Sequence, residues 1–287
     1  MKTAKILVTN ILKDGKRLTI KLVAIDMDAT LLNSQQEITL LTKQAIAQAL
    51  KQGVKIVLCS GRPLAGILPY ARQLGIDGSQ QYIITYNGGV IQTATGQLIQ
   101  EHMLTAADFE PLSQFSAQHQ VHFNVLDNQS HVYTLDHEVN FYTLMQASEM
   151  QAGITILDPS DLPIQFPLAK AVLTGEKKQI DQIEPLLGAE FGQKHSIVRS
   201  MPIMLEVAHS LATKGRALRD LAEELDFALD EVMAIGDELN DYTMFQTAGT
   251  AVVMKNGNPK MKAIADYVTE DNDHDGVAHA LEKFVLR

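Results

Sequence analysis

Short apolar runs that alternate with segments of helical periodicity constrain this chain more than any other feature, because that alternation is the pattern of βαβ units packed into a parallel sheet. From residue 18 onward, runs at 20–26, 54–59, 82–85, 231–235 and 250–254 predict strands. Between the first two, Leu40, Leu41, Ala45, Ile46, Ala49 and Leu50 fall at helical spacing and stop at Gly53, a natural helix-ending position. A second helix is predicted after Pro63, running to Leu74-Gly75. The pattern then changes at Asn87-Gly88, a strong hairpin-turn dipeptide between Tyr82–Tyr86 and Val90–Ile91. From there to about Ala208, strand-like runs at 121–125, 132–134, 169–173 and 203–207 are interleaved with helical stretches near 105–119, 137–150 and 176–188. The alternation resumes with a helix after Lys214 and closes with one around 275–286. This reads as an α/β parallel-sheet core, residues 19–88 and 206–287, into which an α+β domain, residues 89–205, is inserted. Residues 1–18 read as an N-terminal extension, either a short extra strand or a flexible segment.

Composition narrows the partners. The net charge is −10 and no Lys/Arg-rich stripe with interleaved aromatics occurs, which disfavours nucleic acid and anionic membrane surfaces. The lone cysteine, Cys59, cannot form an internal disulfide and reads as a buried strand residue. No apolar stretch approaches the roughly 20 residues of a spanning helix, and the first residues lack the apolar centre of a secretory signal. A cytoplasmic protein is expected, its oligomeric state open.

Chemistry-bearing residues collect where strands are predicted to end, which is where open parallel sheets bind ligands. Asp26-Met27-Asp28-Ala29-Thr30 follows the first strand, Ser60-Gly61-Arg62 the second, and Gly236-Asp237-Glu238-Leu239-Asn240-Asp241 the run at 231–235. Lys214-Gly215 opens a helix. A carboxylate at Asp26 can attack phosphorus, while a second carboxylate two residues on can protonate a leaving oxygen and then activate water. The Ser60 hydroxyl and adjacent N–H groups suit phosphate oxygens, and Lys214 supplies a fixed positive charge. Asp237 and Asp241 would crowd Asp26 with negative charge, a situation that a hard divalent cation such as Mg²⁺ relieves. Each cluster alone is more readily a loop acid, a helix cap or a surface lysine. Their joint placement, in order, at strand ends and a helix start reverses that balance.

The motifs DMDATLL at 26–32, SGR at 60–62, KG at 214–215 and GDELND at 236–241 resemble those of the haloacid dehalogenase-like hydrolase superfamily. Tyr86-Asn87-Gly88-Gly89 and Asp275-Gly276-Val277-Ala278 resemble local patterns of its Cof-type sugar-phosphatase branch. The resemblance implies a Rossmann-like core with an inserted type-2 α+β cap that governs substrate specificity. It implies a Mg²⁺-dependent phosphatase of small phosphorylated metabolites, sugar phosphates above all, working through an aspartyl-phosphate. In that reading Asp26 is nucleophile and metal ligand, Asp28 is general acid/base with its carbonyl on the metal, and Asp237 is a further ligand. Ser60, Gly61, Lys214 and Asn240 bind phosphate, Asp241 supports the metal or Lys214, and Arg62 lies near the cap boundary or the substrate.

One departure stands out: Ala29 occupies the motif's usual glycine position, and its methyl penalises any positive φ. Two alternatives accompany the hydrolase: a phosphomutase or phosphotransferase and, on account of Ala29, a phosphometabolite-binding regulator with weakened turnover. His119, His122, His131 and His137 fall in the inserted domain without the cysteine or acidic companions of a zinc site, and read as surface or substrate-facing histidines.

Overall fold

The computed structural model describes residues 12–13, 16–17, 19–149, 151–158 and 167–286. β1 (Leu12–Lys13) and β2 (Lys16–Arg17) form a small antiparallel ladder, and the rest of the expected 1–18 extension lies outside the described residues. The first part of the core contains β3 (Leu22–Ile25), α1 (Leu40–Lys51), β4 (Lys55–Cys59), α2 (Leu64–Gln73), β5 (Tyr82–Thr85), β6 (Val90–Thr93) and β7 (Leu98–Glu101). A second unit follows, with α3 (Ala106–Gln118), β8 (His122–Asp127), β9 (His131–Thr134), α4 (Phe141–Glu149), β10 (Gly153–Ile156), β11 (Leu168–Thr174), α5 (Lys177–Phe191), β12 (His195–Met201) and β13 (Met204–His209). The chain then returns to the core through α6 (Lys214–Glu224), β14 (Val232–Gly236), α7 (Tyr242–Thr247), β15 (Thr250–Val253), α8 (Pro259–Ile264), β16 (Tyr267–Val268) and α9 (Gly276–Phe284).

The core sheet has the order β16-β15-β14-β3-β4-β5-β6-β7, parallel from β16 to β5 and antiparallel across β6 and β7. β3 lies in its middle, and its Leu-Val-Ala-Ile sequence is buried throughout, as a strand covered on both faces requires. Alternate side chains enter different clusters. Val23 and Ile25 pack with α1, α2 and α9, while Leu22 and Ala24 pack with α6, α7 and α8. In register, Ile25 stands beside Ile235 of β14 and Leu58 of β4, so the carboxyl ends of all three strands finish side by side. That alignment positions the site.

The second unit is a six-stranded sheet, order β10-β9-β8-β11-β13-β12. One face packs on α3 and α5 through Phe109, Leu112, Phe115, Ile180, Ile183 and Leu187. The opposite face contributes Leu126, Val132, Ala169 and Val172 to a cluster with Tyr86 and Val90 of the core, which joins the units. Sheet membership departs from the expected boundaries at 88/89 and 205/206. β6 and β7 extend the core sheet to Glu101, and β13 carries the second sheet to His209. The Asn87-Gly88 turn does form the expected hairpin, pairing Thr85 with Val90, but it turns the chain within the core rather than out of it.

Candidate active site

Asp26 is the first residue beyond β3, tied to the neighbouring strand by its N–H donating to the Ile235 carbonyl at 2.9 Å. The loop after it is fastened by Met27 and Leu31, both buried in the core, and by the Leu31 N–H donating to the Asp26 carbonyl at 3.2 Å. The loop turns at Ala29, whose φ of 58° and ψ of 11° are left-handed. Thr30, one residue on, donates its hydroxyl to Asp237 Oδ1 at 3.0 Å.

Ser60 follows β4 and is buried, its hydroxyl accepting the Arg62 N–H at 3.2 Å and its carbonyl accepting the Asn87 N–H at 2.9 Å. Lys214 is the first residue of α6, which Thr213 caps by accepting the Arg216 N–H. Two glycines allow that helix start to sit so deep. A Cβ on Gly88, whose φ is +99°, would lie 2.2 Å from the Thr213 carbonyl oxygen, and one on Gly215 would lie 2.1 Å from that of Thr243. Asp241 is placed by its Oδ2 accepting the Asp237 N–H at 2.9 Å, in space that a Cβ on Gly236 would occupy.

These elements bring Asp26, Lys214, Asp237 and Asp241 together. Lys214 Nζ donates to Asp26 Oδ1 at 2.5 Å and to Asp241 Oδ1 at 2.6 Å, with no exposed side-chain surface. Carboxylate oxygens of Asp26, Asp237 and Asp241 lie within 4.8 Å of one another. Burial pushes the Asp26 carboxyl well above its usual range; Lys214 opposes that shift, and Asp241 and Asp237 reinforce it. Burial and the Asp241 charge push Asp237 up to about 7. Lys214 moves upward despite its burial, because Asp241 and Asp26 hold its charge. When all three carboxyls are ionised, the one ammonium leaves two negative charges uncompensated, which, on top of burial, is why Asp26 and Asp237 hold their protons so strongly without a cation. This all-oxygen set fits a hard divalent cation, which would offset both.

Asp28 takes a different position. Its carboxylate stands at the mouth, gripped by Arg62 through Nη2 at 2.5 Å and Nε at 3.1 Å, and Arg62 also donates to Gln36. Asp26, Asp28, Ser60, Gly61, Arg62, Asp237 and Asn240 all line a crevice of about 1070 Å³ between the two sheets. Asn240 reaches its wall by donating to Asn87 Oδ1 at 3.3 Å. Cys59 is buried beside Ser60, its thiol pushed upward by burial, and has no access to the crevice. His122 pairs with Asp136 and His131 with Asp127. Sequence reading missed Lys170 and Glu206, which line the crevice from β11 and β13. They are far apart in the chain and sit in strands that read as ordinary core. A charged residue inside an otherwise apolar buried run, as at Lys170, was the available signal.

A family profile described as haloacid dehalogenase-like hydrolase matches residues 23–281. YxeH of Bacillus subtilis, provisionally named a phosphatase, is 34% identical over 267 residues, covering 93% of this chain and 98% of that protein. YcsE of the same organism, named a 5-amino-6-(5-phospho-D-ribitylamino)uracil phosphatase, is 30% identical over 269 residues, covering 93% and 96%. The crystal structure of a haloacid dehalogenase-like hydrolase from Bacteroides thetaiotaomicron superposes with a TM-score of 0.83 at 30% identity, covering 92% of this chain and 99% of that one.

Proposed function

The chain belongs to the haloacid dehalogenase-like hydrolases, and from that premise we propose that it is a Mg²⁺-dependent phosphatase that hydrolyses phosphomonoesters of small metabolites, sugar phosphates among them, through an aspartyl-phosphate. The observation that carries this reading is the Asp26 carboxylate, fixed at the end of β3 by Lys214 and opening on the crevice. YcsE, whose name describes a phosphate ester on a ribityl chain, supports a small hydroxylated substrate.

The carboxylates of Asp26 and Asp237 and the carbonyl of Asp28 would hold the cation, with Asp241 behind them. When bound, Mg²⁺ would neutralise phosphoryl oxygens and so lower the repulsion between the ester and an anionic nucleophile. The protein's own groups perform the transfer. Ser60 and the amides that follow it orient the phosphate. An Asp26 oxygen attacks phosphorus, the bond to the leaving oxygen breaks, and Asp28 gives that oxygen its proton. Asp28, now a carboxylate, takes a proton from water as the water oxygen attacks phosphorus, which frees Asp26 and releases phosphate. Arg62 fixes where Asp28 stands. The second sheet covers the crevice as the cap and excludes bulk water from the acyl phosphate.

The test is phosphate release from an aryl phosphate and a sugar-phosphate panel, with Mg²⁺ or EDTA, for wild type and Asp26→Asn. Release that needs both Mg²⁺ and Asp26 is expected; equal release from the variant would sink the nucleophile assignment.

A further inference from the structure

Lys170 and Glu206, from the neighbouring strands β11 and β13, form an ion pair at 2.8 Å on the crevice wall. They are 1% and 7% exposed. A pair so withdrawn from water adds little net stability, because desolvating two charges offsets their attraction. Its surroundings indicate another use. Lys170 Nζ lies 3.4 Å from the Gly61 carbonyl oxygen, and Glu206 Oε2 accepts from Asn87 Nδ2 at 3.4 Å. Asn87 in turn accepts from Asn240. These contacts are at the long limit of hydrogen bonding, so both charged groups retain capacity for a better-placed partner. Gln146 of α4 lines the same crevice, 2% exposed, and neither of its amide atoms has a hydrogen-bond partner. A buried carboxamide without partners is costly unless something it binds completes it.

The cations of the crevice wall are already matched. Arg199 is held by Asp181 and Glu184 at 2.7 Å each, and Arg62 by Asp28. Among the described residues that line the crevice, every Lys and Arg has a carboxylate partner.

Resting on the hydrolase reading above, we propose that Lys170 and Glu206, with Gln146, form the subsite for the leaving group of the phosphoester and select a neutral, hydroxylated group against an anionic one. A hydroxyl can donate to Glu206 while accepting from Lys170. A carboxylate or second phosphate in that place faces the Glu206 charge and finds no unpaired cation.

Wild type and Glu206→Gln are to be compared on ribitol phosphate, uridine monophosphate, phosphogluconate and para-nitrophenyl phosphate, all with Mg²⁺. The wild type is expected to favour a neutral leaving group over phosphogluconate by at least about ten-fold in kcat/KM, and Glu206→Gln to reduce that ratio about ten-fold. Preference for ribitol phosphate assigns an open-chain polyol, and preference for uridine monophosphate a ribose; either supports the proposal. A wild type that favours phosphogluconate, or a ratio that Glu206→Gln leaves unchanged, overturns it. Glu206→Gln strands the Lys170 charge, so if that variant does not fold, the double variant Lys170→Met with Glu206→Gln gives the same comparison with both charges removed. Turnover of the aryl ester by wild type keeps the hydrolase reading standing whatever the ratio does. No turnover of any ester fells that reading, and the subsite assignment with it.

Discussion

At Ala29 a methyl group is carried in a left-handed conformation that glycine adopts freely and alanine does not, at a cost of about 1 kcal/mol. The loop keeps its shape because Met27 and Leu31 are anchored in the core on either side. Ala29→Gly is therefore expected to raise the unfolding free energy by about 1 kcal/mol in urea denaturation, and a decrease would show that methyl contacts outweigh the strain. Lys214 is the reverse case, an ammonium with no exposed surface between two carboxylates. Lys214→Met strands those charges, and a loss of about 3–5 kcal/mol, together with loss of phosphate release, is expected. At this scale the convergence of Asp26 with Asp237 was legible because each closely follows an apolar run, Leu22–Ile25 and Val232–Ile235. The grip of Arg62 on Asp28 was not, because it depends on side-chain directions across two loops that residue spacing does not encode.

Helix α3 shows how an element is fixed from outside itself. The Asp108 carboxylate accepts the N–H and hydroxyl of Thr105 at 2.8 and 2.7 Å, and its other oxygen meets His195 of β12 at 2.9 Å. Burial draws the Asp108 carboxyl upward, but the Thr105 bonds and His195 outweigh it and leave the group below its usual range. A lowered folded-state value means that this stabilisation is present above the unfolded value of about 3.9 and is lost as pH falls through the folded one. Asp108→Asn is thus expected to be less stable than wild type at neutral pH, with the gap in melting temperature closing below about pH 3.9. A gap independent of pH would remove the carboxylate's role. Central strands such as β3 and β14 were legible because burial on both faces demands continuous apolar sequence. β7, β10 and β12 were not, because these edge strands are only partly buried and tolerate polar residues, as in Leu-Ile-Gln-Glu at 98–101.

Across the whole molecule, the candidate metal ligands come from both sides of the inserted unit, Asp26 before it and Asp237 after it. Mg²⁺ bound there should stabilise the assembled core by about 2.7 kcal/mol at about 100 times its Kd, read as a rise in melting temperature. Asp237→Asn should abolish that rise, and an equal rise in the variant would place the ion elsewhere. The two-part core was legible because the alternation stops and resumes. The extent of each sheet was not, because β6 and β7 extend the core past the turn where the pattern changes. The position of β3 between β4 and β14 also bears on synthesis. Emerging from the ribosome, β3 has β4 to pair with early, but its other edge stays open until the whole second unit and α6 have been made. For that interval the nascent chain carries an apolar strand edge and an aspartate without its lysine. The second unit, whose six strands are consecutive in the chain, can fold meanwhile, so the order of translation favours a finished cap waiting over an unfinished core.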